Sequence, residues 1–250
     1  NEQSETVVID ILSVANAQEV GQQQQTVTVL NDDPPPTVTL SVDPANIDEE
    51  TGTTSTKVIA TLSTLSGLDV TVDIVTSGTA TLGKDYTTTN TIAVPAGTAS
   101  GHLILSSLGD LLSEANETVI IDIVSVTNGT EVGAEQKTVT ILDDEPLPLV
   151  TLTTGALTIG EDTGTTTTTV TANLNVISGQ DVVVNLVKSA SSTARETKDY
   201  TLANKITIFA GSTSNLILLT AAGDFLDEAN ETVVIEIDTV SNALEAAQQK

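Results

Sequence analysis

The sequence predicts an all-β protein made of tandem immunoglobulin-like, seven-stranded Greek-key β-sandwiches, and three observations carry that prediction. Apolar and polar residues alternate over short runs, turn-forming residues separate the runs, and domain-sized blocks repeat. In ETVIIDIVSV, starting at Glu117, the residues Val119, Ile121 and Ile123 share one face while Thr118 and Asp122 point away. That is the period of two expected of a half-buried strand. The junction recurs with Val7, Ile9 and Ile11 and with Val233, Ile235 and Ile237, where Asp10 and Glu236 face out. The glutamates that open these runs, Glu5, Glu117 and Glu231, lie 112 and 114 residues apart. Such steps are whole domains, whereas solenoid repeats run to only about 20–50 residues.

The blocks divide the chain into the last part of one repeat (1–36), a complete repeat (37–148) and a repeat lacking its last strand (149–250). Strands of the complete repeat are predicted at 37–42, 55–63, 68–76, 90–95, 100–107, 118–126 and 137–142. Thr and Val abound throughout, which suit a pleated surface, and Gly, Asn and Asp punctuate the runs at turns. Seven short strands in a repeat of this length imply the immunoglobulin-like sandwich. Two acid-then-proline stretches, NDDPPPTVTL at 31–40 and LDDEPLPLVTL at 142–152, fall where one repeat hands over to the next. Proline there ends a strand and stiffens a short linker.

Composition narrows the partners. The 250 residues, 39% of them hydrophobic, are enough to bury a core, and 34 acids against 8 bases give a net charge of −26. That charge repels nucleic acid and anionic membrane surfaces and attracts cations. With no Cys there is no disulfide, thiolate metal site or thiol nucleophile. No apolar run approaches the roughly 18 residues of a membrane span, and no signal peptide opens the chain. The absence of Met and a start in mid-pattern suggest a piece of a longer polypeptide.

Strand parity gives the acids a common address. If successive strands reverse direction, the connections after strands one, three and five and the exit of strand seven gather at one pole. They carry Glu49 in DEETG, Asp85 in LGKDY, Asp110, Glu114 and Glu117 in GDLLSEANE, and Asp143, Asp144 and Glu145 in DDE. The third repeat places Glu161, Asp199, Asp224, Glu228 and Glu231 alike, and the first junction has Glu2, Glu5, Asp32 and Asp33. Any one such acid reads as a solvated turn cap. The whole set, recurring at one pole, favours a shared cation, because crowded carboxylates otherwise raise one another's pKa. All-oxygen ligands on flexible loops suit calcium, which takes six to eight oxygens, better than magnesium with its strict octahedron.

The ordered motifs E-x-x-G (Glu49 to Gly52), G-K-D-Y (Gly83 to Tyr86), E-A-N-E-T (Glu114 to Thr118) and T-V-T-I-L-D-D (Thr138 to Asp144) resemble the Calx-beta domain. That family occurs in sodium/calcium exchangers and in large extracellular and bacterial surface proteins, and the resemblance covers nearly the whole chain. It implies calcium ligands at Glu49, Asp85, Asp110, Glu114, Glu117, Asp143 and Asp144, with the backbone carbonyl of Leu112. In the third repeat it implies Glu161, Asp199, Asp224, Glu228 and Glu231, with the carbonyl of Leu226. Calcium-binding members often have two adjacent acids before E-x-x-E, whereas here Gly109 precedes Asp110 and Gly223 precedes Asp224. One ligand fewer implies fewer ions or weaker binding, toward the roughly 10⁻⁴ to 10⁻³ M range of extracellular modules. Asn31 stands where Asp143 stands, which weakens the first junction further.

No catalytic constellation competes with this reading. His102 lies in a predicted strand, and a sugar cleft built on paired carboxylates wants aromatic platforms that two Tyr and two Phe do not supply. Tyr86 and Tyr200 read as packing anchors. Asn-X-Thr triplets at 116–118, 128–130 and 230–232 match the glycan acceptor, a short pattern common by chance. The expected function is a non-enzymatic, calcium-binding structural segment of an extracellular or cell-surface adhesin, filament or matrix protein, in which calcium rigidifies the joints. The alternative is a regulatory calcium sensor. Expected partners are neighbouring repeats of the same array and cell-surface or matrix molecules. A homopolymer would arise if TVTVL (26–30) of one chain completed another chain's third repeat by strand addition, although an arbitrary cut through a longer array explains the incomplete ends more simply.

Overall fold

The computed structural model describes residues 1–162, 166–223 and 227–246. The complete repeat contains all seven predicted strands and three short additional ones. In chain order, after β1 (Glu5–Asp10) and β2 (Gln24–Val29), these are β3 (Thr37–Asp43), β4 (Asn46–Asp48), β5 (Ser55–Leu62), β6 (Val70–Gly78) and β7 (Tyr86–Thr87), then β8 (Thr91–Val94), β9 (Ser100–Ser107), β10 (Glu117–Thr127), β11 (Thr130–Glu131) and β12 (Gln136–Leu142). One sheet runs β11-β3-β5-β9-β7 and the other β4-β12-β10-β6-β8. The long neighbours are antiparallel. The first predicted strand is β3; beyond it, after Asp43, the chain turns at Pro44 and adds the short β4 in the opposite sheet, parallel to β12.

Alternation builds the core. Val38, Val58, Val70, Val72, Ile92, Val94, Leu105, Val119, Ile121 and Val139 are each fully enclosed between the two sheets. Burial of one such side chain contributes about 1.5–3 kcal/mol. The alternation in β10 changes phase after Ile123, because the register with β6 shifts between Ile123 and Ser125, and the next residue packed against the core is Val126 rather than Ser125.

The third repeat continues with β13 (Leu149–Thr154), β14 (Thr167–Leu174), β15 (Val182–Lys188), β16 (Tyr200–Thr201), β17 (Lys205–Ile208), β18 (Ser214–Ala221), β19 (Ile235–Ser241) and β20 (Leu244–Glu245). Its sheets run β16-β18-β14-β13-β20 and β17-β15-β19. Here ETVVIEI differs from its counterpart in β10, since 231–234 form no strand and Val233 and Ile235 are only half-buried. In the complete repeat β12 lies along that edge, and no described strand takes its place.

The equivalent hairpin β1–β2 keeps the register of β10–β12, with Glu5 opposite Val29 as Glu117 is opposite Ile141. Its apolar face lies open. Val7 is 50% and Ile9 56% exposed, against 0% for Val119 and Ile121, because no described second sheet closes over it. The chain divides into two compact units, and the loop Asp110–Ala115 packs with the second, together with residues from Asp143 onward.

Candidate metal centre

The backbone ladder of the complete repeat brings the predicted turns to one pole. Asp48, the last residue of β4, is the Cα partner of Leu142, and the Glu49 N–H donates to the Leu142 carbonyl at 3.0 Å. The turn after it closes when the Thr53 N–H donates to Asp48 Oδ2 at 2.8 Å. Gly52 permits this turn through a φ of +87°, and a Cβ there would run into the Asp48 carboxylate. Glu117 opens β10 opposite Ile141, next to the same strand exit. Asp85 is fixed twice: its Oδ2 accepts from the Thr81 N–H at 2.6 Å, and its carbonyl accepts from the Leu108 N–H at 2.9 Å. Lys84 also pairs with it at 3.6 Å.

The loop that follows Leu108 reaches the end of β12. The Glu114 N–H donates to Asp143 Oδ1 at 2.8 Å, across 29 residues of sequence, and Asp110 Oδ1 accepts from the Leu112 N–H at 2.7 Å. Burial raises the Asp143 carboxyl above the ordinary aspartate value. The Glu114 amide draws it back, and the charges of Asp144 and Asp110 push it up further. Asp143 with Glu145, and Asp110 with Glu114, bring carboxylate oxygens within 4.8 Å, with Glu49 as the third donor of both groups. Such groups can share a divalent cation and thereby relieve their mutual repulsion. The groups of three take in five of the acids at this pole, while Asp85, Glu117 and Asp144 lie outside them.

The third repeat keeps the same devices. Asp199 Oδ2 accepts from the Arg195 N–H at 2.6 Å, and its carbonyl accepts from the Ala222 N–H at 2.9 Å. The Arg195 amide holds the Asp199 carboxyl below the usual range. Glu231 is raised, first by the hydrogen bond it shares with Asp199 and then by burial and the charges of Asp199 and Glu228. Glu161, Asp199, Glu228 and Glu231 line a cleft of about 620 Å³ whose apolar wall includes Ile159, Val233 and Ile235. The predicted ligands Asp224 and Leu226 lie outside the described residues.

At the first junction, Asn31 occupies the place of Asp143 and does the same work, accepting from the Glu2 N–H at 3.2 Å without carrying a charge. Glu2, Glu5, Asp32 and Asp33 are exposed, and none joins a group of three among the described residues. Asp33 lies 3.9 Å from the amino terminus.

Two acids escaped sequence reasoning. A Cβ on Gly109 would lie 2.8 Å from Glu50 Cβ, and one on Gly223 would lie 2.7 Å from Asp162 Cγ. The space of the absent paired acid is thus filled by a carboxylate side chain, Glu50 in one repeat and Asp162 in the other. The signal was present as the acid that follows Glu49 in DEETG and Glu161 in GEDTG. The anchors Tyr86 and Tyr200 are 2% and 3% exposed, and His102 is an exposed residue of β9.

These features define a tandem array of β-sandwiches whose loops concentrate carboxylates at one pole. A family profile described as the Calx-beta domain matches residues 31–145 and 147–249, and the chain belongs to that family. It is similar to the solved structure of CBD12 from CALX1.2, with 18% identity, 82% of this chain and 80% of that chain covered, and a TM-score of 0.39. It is also similar to the calcium binding domain CBD12 of CALX1.1 (18%, 81% and 80%, 0.38) and to the apo-form Calx CBD1 domain (20%, 45% and 100%, 0.38). No curated protein sequence matches the chain. Among the described residues no helix is long and apolar enough to cross a membrane.

Proposed function

We propose that these Calx-beta domains bind calcium and form a non-enzymatic structural segment of an extracellular or cell-surface array, an adhesin, filament or matrix protein, in which the ion stiffens the joint between repeats. The observation that carries this reading is the Glu114 amide on Asp143, which ties the E-x-x-E loop to the strand exit that leads directly into the linker. The donor set fits the ion. It is all oxygen, drawn from Glu49, Asp110, Glu114, Asp143 and Glu145, with the Leu112 carbonyl and Asp144 on the same loops, Glu117 at the start of β10, and Asp85 on the turn before β7 that is bonded to Leu108. Calcium bound there supplies charge neutralisation and a cross-link between loops distant in the sequence.

Small-angle scattering in excess calcium is expected to show a longer, more rigid particle than scattering in chelator. Superimposable profiles refute the joint mechanism. Calorimetry then separates structural from regulatory use, because an affinity near 10⁻⁴ to 10⁻³ M belongs to extracellular modules and a micromolar one to sensors.

A further inference from the structure

The loops that carry the proposed ligands make a second kind of contact, and they make it twice in the same register. The Gly67 N–H donates to the Asn1 carbonyl at 2.8 Å, and the Gly179 N–H donates to the Ser113 carbonyl at 3.1 Å. Gly67 and Gly179 are 112 residues apart, as are Asn1 and Ser113. At the second of these sites Ser113 and Ser178 also form an isolated parallel bridge.

The turn that makes the contact is built alike in both places. Ser66 and Ser178 are each 2% exposed. Their hydroxyls accept from the N–H groups of Leu68 and Gln180 at 3.1 and 3.0 Å, and their carbonyls accept from Gly97 and Gly211 at 2.8 and 2.9 Å. The turn is therefore held rigid from within its own repeat, which lowers the ordering cost of docking. Its outer residue, a glycine, lies so close to the facing glutamate that an added side chain would force that glutamate to move. A Cβ at Gly67 would lie 2.9 Å from Glu2 Cβ, and one at Gly179 would lie 2.5 Å from Glu114 Cγ.

We propose that this Ser-Gly turn is a docking element whose partner is the E-x-x-E loop of another copy of the same repeat, and that glycine at its tip decides which repeats can seat. Recognition is by backbone, one N–H on one carbonyl, so it tolerates the change from Asn1 to Ser113 at the acceptor. A side chain on the turn would have to displace the glutamate of the facing loop. The contact involves no metal, so it stands or falls separately from the calcium reading.

The test uses the full chain in chelator. Amide exchange followed by NMR is expected to show the Gly67 and Gly179 N–H groups protected at least about tenfold over an open loop. Gly179→Ala should remove protection at residue 179 and let the flanking repeats tumble more independently in ¹⁵N relaxation. Glu114→Ala empties the space that the new methyl needs, so Gly179→Ala with Glu114→Ala should recover both readouts, a non-additivity expected only of groups in contact. Free exchange of the wild-type Gly179 amide overturns the proposal, as does Gly179→Ala tumbling like wild type. Failure of the double variant to recover overturns the assignment of glycine as the determinant.

Discussion

Calcium added to the full chain is expected to raise the melting transition of the complete repeat, and Glu49→Gln to remove about half of that rise. A ligand that binds only the folded state stabilises it by about 2.7 kcal/mol at a free concentration 100 times its Kd. For a domain of this size that is a shift on the order of 10 °C. Glu49 is the residue to change because it is the donor shared by both carboxylate groups, while its N–H holds the end of β12 through the backbone. Glutamine keeps that amide and the side-chain length and removes only the charge. If the loss lowers affinity about tenfold, the gain at the same calcium falls by about 1.4 kcal/mol. Magnesium should give less, since its strict octahedron is poorly served by long side chains on separate loops. An equal rise in Glu49→Gln and wild type would mean that the ion binds elsewhere.

How far this could be read in advance depended on which interaction set each feature. Strand positions followed from side-chain alternation, a local property, and β3, β5, β6, β8, β9, β10 and β12 all fall within a few residues of their predicted spans. The gathering of turns at one pole followed from strand parity and needed no distances. Two classes of feature lay beyond such reasoning. The addition of β4 after β3 depends on which sheet receives the chain after Pro44, a choice made by pairing with β12 far along the sequence. The pattern in β10 gave no sign that the inward face would pass from Ile123 to Val126, because the shift is a property of its pairing with β6.

The candidate site divides along the same line. Spacing named Glu49, Asp110, Glu114 and Asp143, but it treated the missing acids at Gly109 and Gly223 as simple losses. Through-space packing put Glu50 and Asp162 there instead. The same repeat of motifs also led to the expectation of equivalent apolar faces at Val7, Val119 and Val233. Burial of those residues is set by a facing sheet and a flanking strand, so identical local sequence gave an open face, a closed core and a half-buried edge.

Asp143→Asn is expected to change stability in opposite directions with and without calcium. In the folded protein the Asp143 carboxyl sits above its ordinary pKa, through burial first and through the charges of Asp144 and Asp110. The folded state therefore holds that proton more tightly than the unfolded chain does. The stabilisation is fully present below the ordinary aspartate range and is lost as the pH rises through the raised value. At neutral pH in chelator the ionised group opposes folding, and a neutral isostere should raise the melting temperature by about 2 °C. That gain should shrink as the pH is lowered, when the wild-type carboxyl takes up its proton. Asparagine can keep the tie to the E-x-x-E loop, since Asn31 already accepts from the Glu2 N–H where Asp143 accepts from Glu114. In saturating calcium the same substitution removes a charged donor, so the variant should melt below wild type. Thermal scans at neutral and acid pH, each with calcium and with chelator, resolve both signs. A variant less stable than wild type in chelator at neutral pH would show that Asp143 earns its place by its charge-assisted bond to Glu114 and not by waiting for an ion.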